Sequence, residues 1–436
     1  AGPATYGAEF ELTSKKIQAS TRDILDRSQG PSEEKKHQMA LVDYLRSKCV
    51  LTGCAIEDVR GKFDTDYILK FTDGFWIKYS YDPKCVEITF KPLTLKELRE
   101  KASTIDEYVF NAGRKLKMFT EEGNTSHFNM GIKSAFGDQG SDFLRFFVDY
   151  ANHPDLALGS LGHDIYNAPP LSILNKSQRM ALKDIVTKHN SGYVFSVQEV
   201  AQLIQNNVYT HSYEPTWGGK NHYQAVGIKY VNRTNLNEKD APMELRSVWA
   251  QKSTEDFIKV AELVEARIQY LKKMNTPIVY NETKKTDFSP SQLLTRFKIY
   301  VEETGLKFAD YQSLLPYDIQ IAKETPLLNR KFSAEKRLSD LINYFDLIGS
   351  SEIVQNRFAE ILNLPALKDH PQAIAYRDFF DKMSDADVKK EQGILLKDAV
   401  SPTEVSKDLS PLEIYRTVDV KVKQNGNKLI LCKALF

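Results

Sequence analysis

Several segments of the sequence alternate polar and apolar residues, and their polar positions carry groups that can bind metal ions or phosphate. In the first of them, Glu9 and Glu11 alternate with apolar residues. Side chains of a strand point alternately to opposite faces, so the two carboxylates share one face, with Cβ atoms about 7 Å apart. Neighbouring acids repel unless a positive group lies near them, and magnesium prefers carboxylate oxygen. An exposed edge strand gives the same pattern, and the pair alone favours that simpler interpretation.

Three further segments repeat the arrangement, each with polar groups on one face over an apolar opposite face. The polar positions are Glu87 and Thr89 in residues 85–90, His127, Asn129, Gly131 and Lys133 in residues 126–133, and Glu244 and Arg246 in residues 242–247. A sheet whose apolar face is covered by helices would bring these side chains into one polar trough. The set of four therefore favours a shared site for metal and phosphate, which no single strand would do.

The order of these motifs resembles that of the glutamine synthetase-like amidoligases, a superfamily that includes glutamate–cysteine ligases and other carboxylate–amine ligases. The resemblance is carried by Gly7-x-Glu9-x-Glu11, Val86-Glu87-x-Thr89, His127-x-Asn129 and Glu244-x-Arg246, with Lys91-Pro92-Leu93-Thr94 after the second motif and residues 226–232 before the last. It covers roughly residues 5–275 and depends on short motifs in the right order.

The resemblance implies a fold and an activity. The fold is of the α+β class, with a mainly antiparallel sheet that forms a funnel, helices on its outer face and a mostly helical C-terminal domain. The funnel would hold ATP and two or three magnesium ions, with manganese as the alternative metal. The γ-phosphate would pass to a substrate carboxylate, and an amine would then attack the acyl phosphate. Either substrate, the carboxylate or the amine, could be a small molecule or a protein.

The resemblance also divides the metal ligands into two groups by motif position. Glu9, His127 and Glu244 would share one metal ion. Glu11 and Glu87 would hold another ion beside it. His127 would bind as neutral imidazole, so we expect activity to fall once this ring is protonated.

The remaining motif positions are assigned to the nucleotide and the reaction. Asn129, Lys133 and Arg246 would contact ATP, and Arg246 would also stabilise the moving γ-phosphoryl group, because positive charge neutralises the phosphoryl oxygens. Lys229 is a second catalytic candidate. It stands where the family commonly has arginine, and it can supply charge but not a bidentate contact.

The sequence departs from the family pattern at two further points. The family often has a second histidine where Asn129 stands. It also has a further acid before the second motif, for which Asp73 and Asp82 are both candidates. Two alternatives are open, and these departures bear on the second. One is a phosphotransferase on the same fold, which would phosphorylate a guanidino group or a protein side chain without an amine-dependent product. The other is a degenerate member that binds nucleotides or proteins, which would show no magnesium-dependent ATP hydrolysis.

The elements that would position these residues follow from the patterning of the chain. Strands are predicted at residues 5–13, 53–60, 66–71, 74–80, 84–90, 126–135, 222–231 and 242–249, and helical segments at 33–48, 94–118, 141–205 and 253–273. Because strands and helices are mixed without a regular β-α-β alternation, an antiparallel sheet is favoured.

The polar stretch Asn281–Asp287 divides the chain into two predicted domains. Residues 4–275 form the catalytic domain, and residues 288–436 form a mostly helical accessory domain that ends in a small hairpin at 418–435. The accessory domain could cap the funnel or dock a macromolecular substrate, which would suit a protein-modifying ligase such as a bacterial effector.

Composition narrows the partners and the compartment. The 436 residues include 59 Lys and Arg and 58 Asp and Glu, so no global field favours nucleic acid or an acidic membrane. No apolar run approaches the roughly 20 residues of a membrane span, and no signal peptide is apparent. The four cysteines lack metal-finger spacing, which predicts reduced thiols and a cytoplasmic protein, or one delivered into a host cell if it is an effector.

Overall fold

A computed structural model describes residues 3–120, 125–162, 168, 176–209, 224–228, 230, 234–281, 290–315, 338, 362 and 367–382. Its centre is an open eight-stranded sheet with the order β2-β3-β4-β5-β1-β6-β8-β7. The strands are β1 Tyr6–Leu12, β2 Ala55–Arg60, β3 Thr65–Lys70, β4 Trp76–Asp82, β5 Cys85–Phe90, β6 Thr125–Gly131, β7 Val226–Gly227 and β8 Pro242–Trp249. Every neighbouring pair is antiparallel, which confirms the predicted α+β class with an antiparallel sheet.

Helices connect and cover these strands. Within the described residues, the α-helices are α1 Lys15–Ala19, α2 Glu33–Thr52, α3 Leu95–Ile105, α4 Ala112–Lys115, α5 Ile132–Phe136, α6 Gly140–Ala151, α7 Lys176–Asn190, α8 Val197–Leu203, α9 Thr254–Lys272, α10 Pro290–Glu303, α11 Phe308–Tyr311 and α12 Pro371–Lys382. In the same part of the chain, π-helical turns extend or follow them at Asp106–Asn111, Leu156–Ser160 and Ile204–Val208, and a 3₁₀ turn follows α11 at Gln312–Leu314. Among the described residues, no helix is long and apolar enough to cross a membrane.

The apolar face of the sheet is sealed by α9. The ring of Phe257 packs against Phe10 of β1, Phe90 of β5 and Phe128 of β6, with centroid distances of 5.7, 5.6 and 5.3 Å. These three strand residues hold the apolar positions of the alternating patterns, and each is buried. Burial of this face forces the alternate residues of the same strands to the opposite face, where the carboxylates lie.

The sixth strand is shorter than predicted. It ends at Gly131, and residues 132–136 form α5. The carboxylate of Asp240 accepts hydrogen bonds from the backbone N–H groups of Lys133 and Ser134, at 2.7 and 3.1 Å. Because this acid satisfies amides that have no partner inside the first helical turn, the chain can leave the sheet here. The prediction of a strand to Ala135 is therefore wrong.

Two other predicted elements differ from the structure. The helix predicted over residues 94–118 is interrupted by a π-helical turn and ends at Lys115. Within the described part of residues 222–231, only Val226–Gly227 is a strand. The hairpin predicted at 418–435 lies outside the described residues.

The cysteine prediction needs one correction. Cys49, near the end of α2, forms a disulfide with Cys54 at the start of the next strand region. Gly53 lies between α2 and β2 with φ 78°, a left-handed conformation that favours glycine and reverses the chain. The two Cα atoms consequently lie 4.7 Å apart. The prediction of reduced thiols is wrong for this pair, whereas Cys85 keeps a free, buried thiol.

Among the described helices after residue 288, α10 packs against α9. Arg267 of α9 makes a bidentate contact with Asp149 of α6 at 2.9 and 2.8 Å and reaches Glu303 of α10 at 2.6 Å. Leu293 and Phe297 of α10 are buried in the same core as α9. α10 thus rests on the helices that cover the apolar face. The predicted boundary at 288 and a role of the accessory domain remain predictions.

Candidate active site

A row of polar side chains crosses the sheet at right angles to its strands. Glu9 of β1 is paired with Thr89 of β5 on one side and with His127 of β6 on the other. Thr89 is paired in turn with Lys78 of β4. Paired residues of antiparallel strands project to the same face. One continuous line across four strands is therefore formed by Lys78, Thr89, Glu9 and His127.

A second line of polar side chains lies beside the first, two residues away along each strand. Glu11 of β1 is paired with Glu87 of β5, and Glu87 is paired with Ser80 of β4. The two carboxyl groups of Glu11 and Glu87 thus lie side by side. Like charges directly opposite each other destabilise a sheet unless something compensates them.

The structure brings Glu9, His127 and Glu244 together. One ligand atom from each can be chosen so that all three lie within 4.8 Å of one another. His127 Nδ1 lies 2.6 Å from Glu9 Oε2 and 4.0 Å from Glu244 Oε2. This is the same trio that the sequence motifs assign to one metal ion. Their chemistry fits a divalent cation, because carboxylate oxygen and imidazole nitrogen are the usual ligands of magnesium, manganese and related ions.

A β-bulge sets the position of Arg246. Ser126 is paired with Val248, whereas Phe128 is paired with Leu245, so two residues of β8 lie opposite the single residue His127. Such a bulge re-aims a side chain and is common next to active sites. Here it keeps Arg246 beside His127 on the carboxylate face.

Arg246 is buried and held by an acid. Its Nη1 donates to Glu244 Oε1 at 2.7 Å, and the two residues are only 5% and 3% exposed. A buried charge is costly unless it is paired, so each of these residues requires the other. The guanidinium group is consequently fixed before any substrate arrives.

Asn129 orients the central carboxylate. Its Nδ2 donates to Glu9 Oε1 at 3.2 Å, while Glu9 Oε2 contacts His127. The carboxylate of Glu9 is therefore held at both oxygens by β6. In this structure Asn129 contacts a candidate metal ligand, and its predicted contact with ATP remains a prediction.

The pKa values of His127 and Glu87 are both raised within this cluster. Burial and the nearby Arg246 lower the pKa of His127, but the carboxylates of Glu244 and Glu9 outweigh them and raise it to about 9. Burial, followed by the charges of Glu9, Asp82 and Glu11, raises the pKa of Glu87 to about 8. Both groups thus hold protons at neutral pH that a divalent cation would displace.

Asp82 and Asp73 occupy different environments. Asp82 lies at the end of β4 opposite Cys85, and its charge contributes to the raised pKa of Glu87. Its Oδ1 also accepts from Lys62 Nζ at 3.1 Å. Asp73 lies in the turn before β4, where its carboxylate accepts from the backbone of Phe75 at 3.0 Å and pairs with Lys101. Of the two candidates, Asp82 is therefore the one that lies near the carboxylate face, and its role as a further acid remains a prediction.

One predicted residue, Lys133, does not reach the described cluster. Lys133 is in α5, and its Nζ donates to the carbonyl oxygen of Asn237 at 2.7 Å. Lys229 lies outside the described residues. Conversely, Lys78 and Ser80 join the carboxylate face although the motifs did not include them. Their alternation along β4 is visible in the sequence, but only the register shows which face of the sheet they occupy.

Comparisons with known proteins give little beyond this geometry. No protein-family model matches the chain, and no curated protein matches it. Among solved structures, the chain is similar to the "Crystal structure of the complex between Prokaryotic Ubiquitin-like Protein Pup and its Ligase PafA". The identity is 11%, the coverage is 99% of this chain and 79% of the other, and the TM-score is 0.27. Similarity at this level supports no statement about the function of this chain.

Proposed function

We propose that this chain is an ATP- and magnesium-dependent ligase that joins a carboxylate to an amine through an acyl phosphate. The observation that carries the proposal is the grouping of Glu9, His127 and Glu244 within 4.8 Å, beside a buried arginine. The four sequence motifs that resemble amidoligases are those that bring these residues onto one face. Metal ligands and a fixed arginine are the groups that phosphoryl transfer requires.

The proposed metal ligands fall into two sets. Glu9, His127 and Glu244 would hold one divalent cation, and the neighbouring Glu11 and Glu87 would hold a second. When bound, these cations would neutralise the charge of the nucleotide phosphates. His127 must lose its proton to become a ligand, and the carboxyl group of Glu87 must do the same.

Arg246 would stabilise the phosphoryl group during transfer. Glu244 fixes its guanidinium at 2.7 Å in a buried position. A donor that is already oriented needs no reorganisation during the reaction, and its interaction is stronger away from water. Glu244 would therefore have two roles, as a metal ligand and as the residue that positions Arg246.

The bonds formed and broken define the substrates. A carboxylate oxygen of the first substrate attacks the γ-phosphorus, and the bond to the β-phosphate oxygen breaks to release ADP. The amine nitrogen of the second substrate then attacks the acyl carbon, loses its proton, and the bond to phosphate breaks. The proposed products are an amide, ADP and inorganic phosphate, and either substrate could be a protein.

The test uses conservative variants of the full chain. We expect Glu9→Gln, Glu87→Gln and Glu244→Gln to abolish magnesium-dependent ATP consumption, because each removes a ligand charge. Glu57→Gln is the matched control, since Glu57 lies on the edge strand β2 with a side chain 54% exposed. ADP formation is measured together with hydroxamate after addition of hydroxylamine, which traps an acyl phosphate.

Three results would separate the possibilities. Full ATP consumption in the three variants would show that the proposed site is wrong. Phosphorylation of an acceptor without any hydroxamate or amine-dependent product would identify a phosphotransferase. No magnesium-dependent ADP formation by the wild type, with or without ATP binding by calorimetry, would indicate a binding module without this activity.

A further inference from the structure

The transverse row on the sheet ends in a lysine on the side of Glu9 away from Arg246. Lys78 of β4 is paired with Thr89, and Thr89 is paired with Glu9. At a strand spacing of about 4.8 Å, the Cα atoms of Lys78 and Glu9 are about 10 Å apart. In the structure the ammonium group of Lys78 lies on the β3 side, 3.9 Å from Asp66 Oδ2, and rotation of the long lysine stem can carry it to the space above Thr89.

The ammonium group of Lys78 has unused hydrogen-bonding capacity. Its recorded ionic contact is with Asp66 Oδ2 at 3.9 Å, which is too long for a hydrogen bond. Within the described residues, no hydrogen bond from this Nζ is present. An ammonium group has three donors, and the side chain is 37% exposed. It is therefore accessible to a ligand on the carboxylate face.

Lys78 and Arg246 lie on opposite sides of the metal ligands. The order β4-β5-β1-β6-β8 places each of these cations two strands from Glu9, in opposite directions. Arg246 is buried against Glu244, whereas Lys78 is half-exposed and loosely paired. The fixed guanidinium of Arg246 is placed to bind a phosphoryl group. The accessible ammonium of Lys78 is placed to bind a second substrate, which must enter and leave the site.

Both partners in the proposed phosphoryl transfer are anions. A nucleotide phosphate and a carboxylate repel each other unless positive groups hold them in place. Arg246 and the proposed metal ions are assigned to the phosphoryl group and the nucleotide, so a separate cation on the other side would hold the carboxylate. Lys78 is the described residue that meets this requirement by register and exposure.

We propose that Lys78 binds the carboxylate of the acceptor substrate and positions it beside the metal ligands. This inference rests on the proposed function, because it assumes that a carboxylate reacts on this face. Lys78 donates hydrogen bonds to the carboxylate oxygens and takes no part in bond formation. The site would accept substrates with a free carboxylate and discriminate against their amides and esters.

The experiment uses acetate as the simplest carboxylate probe. Its affinity for the full chain is measured by saturation-transfer NMR, with magnesium and a non-hydrolysable ATP analogue present and absent. The variants are Lys78→Gln, which removes the charge, and Lys78→Arg, which keeps it. Lys70→Gln is the matched control, because Lys70 lies on the neighbouring strand β3, pairs with Glu57 and is 53% exposed.

We expect Lys78→Gln to weaken acetate binding on the order of fivefold, as for loss of about 1 kcal/mol from a partly exposed ion pair. Lys78→Arg and Lys70→Gln should keep the wild-type affinity for acetate. Affinity for the analogue, measured by calorimetry, should change less than twofold in all three variants.

Several results would overturn the inference. Unchanged acetate affinity in Lys78→Gln, or no acetate binding to the wild type, would exclude the role, as would a lower unfolding temperature without an acetate effect. Loss of nucleotide affinity in Lys78→Gln would assign Lys78 to a phosphate instead. If the wild type binds no nucleotide, the proposed function fails, while the nucleotide-free acetate titrations still decide whether Lys78 holds a carboxylate.

Discussion

Glu9 and His127 lie directly opposite each other on β1 and β6, with 2.6 Å between Oε2 and Nδ1. They are 118 positions apart in the chain, and the sheet register alone brings them together. A hydrogen bond at this distance places a proton between the two atoms, and a metal ion held by Glu9 and this nitrogen together would displace it. Binding of a metal ion by these two residues would therefore release a proton.

Magnesium binding is therefore predicted to depend on pH. The pKa of His127 is about 9 and that of Glu87 is about 8, so both groups carry protons at pH 7. We expect affinity for magnesium or manganese to increase from pH 7 to pH 9, with release of about one proton per bound ion, from His127 at the first site and from Glu87 at the second. Calorimetry in buffers of different ionisation enthalpy measures this release. A pH-independent affinity would contradict the assigned ligands.

The stability of the metal-free protein should decrease as pH rises. The pKa of Glu87 is raised from 4.5 to about 8, and that of His127 from 6.5 to about 9. The folded state thus binds more protons than the unfolded state, and stability is lost from pH 4.5 to 8 for Glu87 and from pH 6.5 to 9 for His127.

Thermal unfolding with a chelator measures this loss of stability. We expect the unfolding temperature to fall by on the order of 5 °C between pH 5 and pH 9. Glu87→Gln mimics the protonated acid and should flatten the part of the decrease between pH 5 and 8. An equally steep decrease in this variant would show that Glu87 does not titrate as described.

Two replacements of Arg246 should distinguish its contribution to folding stability from its contribution to turnover. Arg246→Met leaves Glu244 buried without its 2.7 Å partner, which is expected to cost about 3–5 kcal/mol of the free energy of unfolding. Arg246→Lys keeps the charge but loses the planar geometry of guanidinium. We expect it to fold and to reduce turnover by about 10²–10³-fold, as for loss of an oriented donor.

Chemical denaturation and ADP formation are the two measurements for these variants. Arg60→Lys, on the exposed edge strand β2, is the control and should match the wild type in both. Wild-type turnover in Arg246→Lys would exclude the phosphoryl-stabilising role.

The two candidate acids should respond differently to neutralisation. Asp82 lies near Glu87, whereas Asp73 is bound in a turn by Lys101 and Phe75. We expect Asp82→Asn to weaken binding of the second metal ion by about tenfold and Asp73→Asn to leave it unchanged. Electron paramagnetic resonance of added manganese gives the number and affinity of bound ions. The reverse result would place the second ion elsewhere.

The packing of Phe257 against the apolar face of the sheet should contribute strongly to the free energy of unfolding. Phe257 is fully buried and touches three strands, so Phe257→Ala is expected to cost about 3–5 kcal/mol of the free energy of unfolding. Phe119→Ala is the control, because Phe119 is 43% exposed. Urea denaturation compares the two, and similar losses would contradict the assigned packing.

The sequence by itself determined the faces of the strands. Because side chains alternate with a period of two, burial of Phe10, Phe90 and Phe128 assigns Glu9, Glu87 and His127 to the opposite face without any knowledge of strand order. The alternation therefore predicted which side chains share the carboxylate face, and the irregular mixing of strands and helices predicted the antiparallel α+β class.

Only the tertiary structure decided the order of the strands and the contacts that depend on it. Periodicity does not specify which strands are neighbours, so the position of Lys78 in the row with Glu9 could not be read from the chain. The bulge at Arg246 and the capping of α5 by Asp240 were equally hidden. Both depend on hydrogen bonds between segments distant in sequence, and such bonds form only once hydrophobic burial has fixed how the strands lie.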